Sequence, residues 1–143
     1  MQELRLELDP TPSTVPVARA AFRAHFADHL ADEALDTATL LLSELVTNSV
    51  LHARLTPTQP VVMRAEFRNA RLRAEVCDEG RSFDEQVLAE STQGRAGWGL
   101  HLVERMADRW GVSRSGVTCV WFELELADAP ARTSPRSGRG LVG

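Results

Sequence analysis

The stretch Glu44-Leu-Val-Thr-Asn-Ser-Val-Leu-His-Ala53 ends the longest helical pattern of the chain, which starts near Glu33. Its apolar residues recur at the three- and four-residue spacing of a helix with one buried face. Glu44, Asn48 and His52 are four residues apart and therefore share one stripe of that helix. The stretch predicts a long helix with a polar stripe at the edge of the core.

Apolar and polar residues alternate on both sides of this helix, as in strands with one buried face. The alternation covers residues 4–8, 61–68, 72–76, 110–114 and 117–126, with a turn expected at Asn69-Ala70. Further helical patterns cover about 16–30 and 99–108, and an irregular loop is expected at 78–98. The order of elements is β-α-α-β-β-loop-α-β-β, which favours an α/β two-layer sandwich with helices on one face of a mixed sheet.

The chain has 143 residues, of which 43% are hydrophobic and 25% charged, as expected for one soluble globular domain. We expect this domain to cover residues 1–126. Residues 127–143 are rich in Pro, Gly, Ser and Arg and predict a disordered tail.

The charged residues exclude several kinds of chemistry. All basic residues are arginine, so a Walker phosphate loop, a protein-kinase strand lysine and a Schiff base are ruled out. The net charge of −4 argues against a nucleic acid or an anionic membrane as the main partner.

The location follows from what the sequence lacks. The first residues are charged, and no apolar run approaches the ~18 residues that span a bilayer. A cytoplasmic protein is therefore expected. Cys77 and Cys119 have no zinc-type spacing, and we expect them to be reduced thiols.

Three stretches carry residues suited to chemistry, although each has a purely structural explanation too. The carboxylate of Glu44 and the amide oxygen of Asn48 are hard ligands of the kind that Mg²⁺ prefers, and the carboxylate could accept a proton from a hydroxyl. Such a pair also arises by chance, and His52 fits a structural role.

Asp78-Glu79-Gly80 follows an apolar strand, where the aspartate could accept a hydrogen bond from the amine of adenine or could simply cap a turn. Residues 94–100, Gly-Arg-Ala-Gly-Trp-Gly-Leu, open a helix with glycines and an arginine. Backbone amides at a helix N-terminus favour phosphate. The alternative is a flexible hinge.

Together these stretches resemble the motifs of the GHKL, or Bergerat-fold, ATPases, and within them the anti-sigma-factor serine-protein kinases of bacteria. Residues 44–53 are similar to the family pattern E-L-V-x-N-A-x-x-H-A, residues 78–84 to D-x-G-x-G-F-D, and residues 95–100 to R-x-G-x-G-L. The resemblance covers residues 1–126.

The resemblance implies a role for each matching residue. Glu44 is the expected catalytic base, Asn48 the Mg²⁺ ligand, and Asp78 with Gly80 the adenine site. The residues expected to surround the ATP phosphates are Arg95, Gly97, Trp98, Gly99 and Leu100. A threonine of the last strand is expected near adenine, and either Thr118 or Cys119 occupies that position.

One departure from the pattern is expected to weaken nucleotide affinity. Ser82 stands where the second glycine of the adenine motif is expected. The resemblance implies a kinase that uses Mg-ATP to phosphorylate Ser or Thr of an anti-anti-sigma (STAS-type) partner and so regulates transcription. It also implies a possible homodimer. The alternative is a non-enzymatic module in which nucleotide controls the capture of a sigma factor or another regulator.

Overall fold

The structure, a computed structural model, describes residues 2–53, 55–80 and 98–126. The predicted order of elements is confirmed, and their ends shift by a few residues. The elements are β1 (Gln2–Leu8), α1 (Thr14–Phe26), α2 (Asp32–His52), β2 (Val61–Arg68), β3 (Arg71–Asp78), α3 (Trp98–Met106), β4 (Arg109–Ser115) and β5 (Val117–Glu125). The predicted tail, 127–143, and most of the predicted loop lie outside the described residues.

The α/β two-layer sandwich is confirmed, but the prediction of a mixed sheet is wrong for the described strands. Their order is β1-β2-β3-β5-β4, and each strand pairs antiparallel with its neighbours. The chain returns through α3, so β3 and β4 run in the same direction. Because β5 lies between them and pairs with both, they form no parallel pair.

The helices bury the inner face of this sheet. α1 packs on β1 and α2, whereas α2 also packs on β2, β3 and α3. The largest fully buried side chains belong to the helices, to the strands and, for Leu30, to the segment between α1 and α2: Phe22, Phe26, Leu30, Leu41, Leu42, Leu45, Met63, Leu72, Leu100 and Phe122. No helix within the described ranges is long and apolar enough to cross a membrane.

The turn between β2 and β3 fixes the register of the two strands. Asn69 and Ala70 both have positive φ angles, 54° and 61°, as required at the centre of a type I′ hairpin turn. Arg68 consequently pairs with Arg71, and the alternation of buried and exposed side chains continues from one strand to the next. The turn predicted at these residues is confirmed.

The outer face of the sheet is polar and is stabilised by side-chain pairs between strands. Glu123 accepts hydrogen bonds from Arg109 Nε at 2.8 Å and from Arg73 Nη1 at 3.0 Å. The hydrogen bond from Arg109 is the main reason why the pKa of Glu123 lies below its ordinary value. The Arg73 guanidinium also stacks over the Trp121 ring, 4.2 Å from its centre.

The two cysteines form a disulfide on this outer face, so the expectation of reduced thiols is not met. Cys77 of β3 and Cys119 of β5 are directly opposite in the register, with a Cα–Cα distance of 4.0 Å. Two cysteines separated by 42 residues in the sequence do not reveal this pairing. It depends on the insertion of β5 beside β3.

The end of α2 approaches the chain just after β3 very closely. A Cβ atom built on Gly80 would overlap the backbone carbonyl of Ala53, the residue that follows α2. Ala53 is itself buried. Glycine at position 80 therefore allows the helix end and the strand end to meet.

We expect the Cys77→Ser/Cys119→Ser double variant to unfold more easily than the wild type. A disulfide that closes a loop of this length contributes about 2–4 kcal/mol to the free energy of unfolding. Denaturant unfolding with and without reductant measures the effect. Reductant should destabilise the wild type by the same amount and leave the double variant unchanged, and a wild type insensitive to reductant contradicts the prediction.

We expect Gly80→Ala to lower the free energy of unfolding by about 1–3 kcal/mol, because the added methyl group forces the strand end away from α2. Urea unfolding monitored by circular dichroism measures the loss. A variant as stable as the wild type shows that the two segments separate without cost, contrary to this expectation.

Candidate functional site

The site lies where the last turns of α2 meet the ends of the two central strands. Asp78, the last residue of β3, is 2% exposed. Its Oδ2 accepts a hydrogen bond from Ser49 Oγ of α2 at 2.7 Å, and its Oδ1 accepts one from the Gly80 backbone N–H at 2.8 Å. A buried carboxylate is thus held by donors from two directions.

Thr118 of β5 is directly opposite Asp78 in the strand register. It is buried on the inner face, together with Asp78. Cys119 projects to the outer face and is bonded to Cys77. Of the two positions left open for the last-strand threonine of the family, Thr118 therefore shares the face of Asp78.

The polar stripe of α2 passes beside this carboxylate. Asn48 is 5% exposed, and its side-chain Nδ2 has no hydrogen-bond partner among the described residues. Glu44, one helical turn earlier, is half-buried. A buried N–H group without an acceptor is unfavourable in a folded protein, so Nδ2 of Asn48 is suited to donate a hydrogen bond to a ligand. Asn48 and Ser49 are adjacent, which places this amide beside the residue that holds Asp78.

The third predicted stretch is described only from Trp98 onward. The helix predicted after the glycines is confirmed as α3, whose first residues are Trp98 and Gly99. Leu100 is buried, and α3 packs against α2. The structure therefore packs α3 against the helix that carries Glu44 and Asn48.

Some predicted residues are not placed. Arg95, Gly97 and Ser82 lie outside the described residues, and so do the side chains of His52 and Trp98. The roles assigned to them stay predictions.

Ser49 is the site residue that sequence reasoning missed. A serine within a helix ordinarily bonds to its own helix or to water, so its position in the sequence does not predict a contact with the sheet. The sequence does contain one indication of a special role: the family pattern has alanine at this position, and serine adds a hydroxyl group to that side chain. Only the tertiary structure reveals that it reaches Asp78, 29 positions away in the sequence.

Comparisons with known proteins support the fold and the family. The family model described as "Histidine kinase-like ATPase domain" matches residues 8–124. A search of curated proteins found no match.

A solved structure is also similar, the histidine kinase domain of the blue-light activated histidine kinase from Erythrobacter litoralis EL346. It has a TM-score of 0.53 and 24% sequence identity over 80% of the present chain. The match spans 60% of that protein's chain, and at this identity it supports the fold alone. Because the family model covers most of the sequence, the chain belongs to the histidine kinase-like ATPase domain family.

Proposed function

We propose that the protein binds Mg-ATP at this site and transfers the γ-phosphoryl group to a Ser or Thr of an anti-anti-sigma (STAS-type) protein, as a cytoplasmic regulator of transcription. The observation that carries the proposal is the buried side chain of Asn48, whose Nδ2 has no hydrogen-bond partner among the described residues. Asn48 lies one helical turn after Glu44 and directly before Ser49, which donates to Asp78. Domains of this family bind ATP, generally with Mg²⁺. A phosphate oxygen of ATP would accept a hydrogen bond from Nδ2 of Asn48, whereas the ion would bind the amide oxygen.

The residues present fit a magnesium ion. The side-chain oxygen of Asn48 is a hard ligand, and few protein ligands are needed because Mg²⁺ retains waters and binds phosphate oxygens. When bound, the ion neutralises charge that develops on the phosphates. Asn48 would hold it, and burial keeps the Asn48 side chain in place.

The nucleobase fits the buried carboxylate. Asp78 accepts hydrogen bonds from Ser49 Oγ and from the Gly80 backbone N–H, and these donors hold its carboxylate at the end of β3. A carboxylate accepts from the exocyclic amine of adenine, whereas the carbonyl oxygen that guanine has in its place would be repelled. We therefore expect selectivity for adenine over guanine nucleotides.

The transfer step assigns Glu44 as the base. Its carboxylate would accept the proton of the target hydroxyl as that oxygen forms its bond to the γ-phosphorus. The bond between this phosphorus and the β–γ bridging oxygen breaks, and ADP leaves. Phosphoryl transfer depends mainly on positioning and charge stabilisation, so a small domain without lysine is sufficient. Arg95 and the glycines before α3 would bind the phosphates.

A non-enzymatic module is the second candidate, and Ser82 favours it, because a side chain replaces the second glycine of the adenine motif. In that case bound nucleotide would control the capture of a sigma factor or another regulator without transfer. A homodimer is a further proposal that follows from the family resemblance.

We expect calorimetric titration to detect Mg-ATP and Mg-ADP binding but not Mg-GTP binding, and Asp78→Asn to abolish most of it. The asparagine keeps the shape of the side chain but replaces one acceptor oxygen with a donor. The exposed Asp36→Asn on the same domain is the matched control and should bind normally. Equal affinity for ATP and GTP, or an unaffected Asp78→Asn, argues against this site.

We expect Glu44→Gln to retain ATP binding and to slow phosphoryl transfer to an anti-anti-sigma protein by about 10²–10⁴-fold, the usual contribution of a general base. The exposed Glu33→Gln in the first turn of α2 is the control. Transfer at the wild-type rate refutes the role of Glu44. ATP-dependent association with no labelled partner identifies the non-enzymatic module instead.

A further inference from the structure

The hydrogen bond between Ser49 and Asp78 connects the two layers of the sandwich inside the core. Ser49 is 1% exposed and Asp78 is 2% exposed. Their oxygen atoms are 2.7 Å apart, as expected when a hydroxyl donates to a carboxylate. At this depth water does not readily replace the bond, so the orientation of Asp78 depends on Ser49.

The two donors act on different oxygens of the same carboxylate. Ser49 donates to Oδ2, whereas the backbone of Gly80 donates to Oδ1 at 2.8 Å. Rotation of the carboxylate about its Cβ–Cγ bond would lengthen both hydrogen bonds. Together they fix the plane of the group and thereby the directions in which it accepts further hydrogen bonds.

Ser49 differs from the other hydroxyl-bearing residues of α2 whose partners are known. Thr39 and Thr47 donate to backbone carbonyls four residues earlier in the helix, and Ser43 to the carbonyl three residues earlier. These bonds stay within the helix. Ser49 instead donates across to the sheet. Since the family pattern has alanine here, the helix itself does not require a hydroxyl.

We infer that Ser49 is a positioning residue for base recognition: it orients Asp78 toward the 6-amino group of a purine nucleotide and so strengthens the preference for 6-amino purines. This inference rests on the proposed function. Ser49 would not touch the nucleotide, and its effect would reach the base only through Asp78.

The test compares two nucleotides that differ only in the 6-amino group. These are Mg-ATP and the Mg-triphosphate of purine riboside, which has hydrogen in place of the amine. We expect Ser49→Ala to weaken ATP binding by about ten-fold and to leave the affinity for the purine riboside triphosphate nearly unchanged. The ratio of the dissociation constant of the purine riboside triphosphate to that of ATP, which measures the preference for the 6-amino group, therefore falls.

Two further variants separate positioning from structure. Ser43→Ala makes the same substitution at a buried serine of the same helix whose hydroxyl stays within α2, and it should preserve the ratio. Ser49→Thr retains a hydroxyl and should therefore keep most of the wild-type preference for ATP over the purine riboside triphosphate. Thermal unfolding confirms that each variant is folded.

The outcomes distinguish the two proposals. If the wild type binds neither nucleotide, the proposed function fails and the role of Ser49 fails with it. The wild type could prefer ATP while Ser49→Ala weakens the binding of both nucleotides equally, or of neither. In that case the ATP site is supported and Ser49 has no positioning role. The inference is supported if the preference for ATP falls in Ser49→Ala but not in Ser43→Ala or Ser49→Thr.

Discussion

A carboxylate buried in the core is the constraint on which the arrangement of this domain depends. Removing a charge from water costs several kcal/mol unless hydrogen-bond donors compensate. Asp78 obtains its donors from Ser49 and from the backbone of Gly80. The first requires the end of α2 to lie against the end of β3, and that approach requires glycine at position 80, because Ala53 occupies the space of a side chain. The close approach of α2 to the end of β3 therefore determines both how the helix packs and how Asp78 is held.

The two faces of the sheet are stabilised by different forces. The inner face is covered by α1, α2 and α3, and its stability comes from burial of apolar surface. The outer face has pairs of arginine and glutamate between neighbouring strands, the stacking of Arg73 on Trp121, and a disulfide. Asp78 lies at the end of β3, where the hydrogen bond from Ser49 joins the sheet to the last turns of α2.

The sequence predicted the local features well because they depend on residues close together in the chain. The periodicity of residues 33–53 predicts α2, and alternation on both sides of Asn69-Ala70 predicts the hairpin. Glu44 and Asn48 fall on one stripe for the same reason. The approach of α2 to Asp78 was implied by the family motifs, whereas periodicity alone gave no indication of it.

The features that sequence missed are all products of long-range pairing. The antiparallel sheet and the disulfide both depend on β5 lying between β3 and β4, which no local pattern encodes. The hydrogen bond of Ser49 joins residues from different layers. In each case the residues themselves are ordinary, and only their neighbours in space give them a role.

The position of the disulfide also affects how securely the site is formed. Cys77 with Cys119 and Asp78 with Thr118 are successive pairs along β3 and β5, with side chains on opposite faces of the sheet. A slip of one residue between two strands moves every side chain of one strand to the other face. Such a slip would expose Asp78 and separate it from Ser49. A covalent bond in the adjacent pair prevents it, so the outer face fixes the register on which the inner site depends.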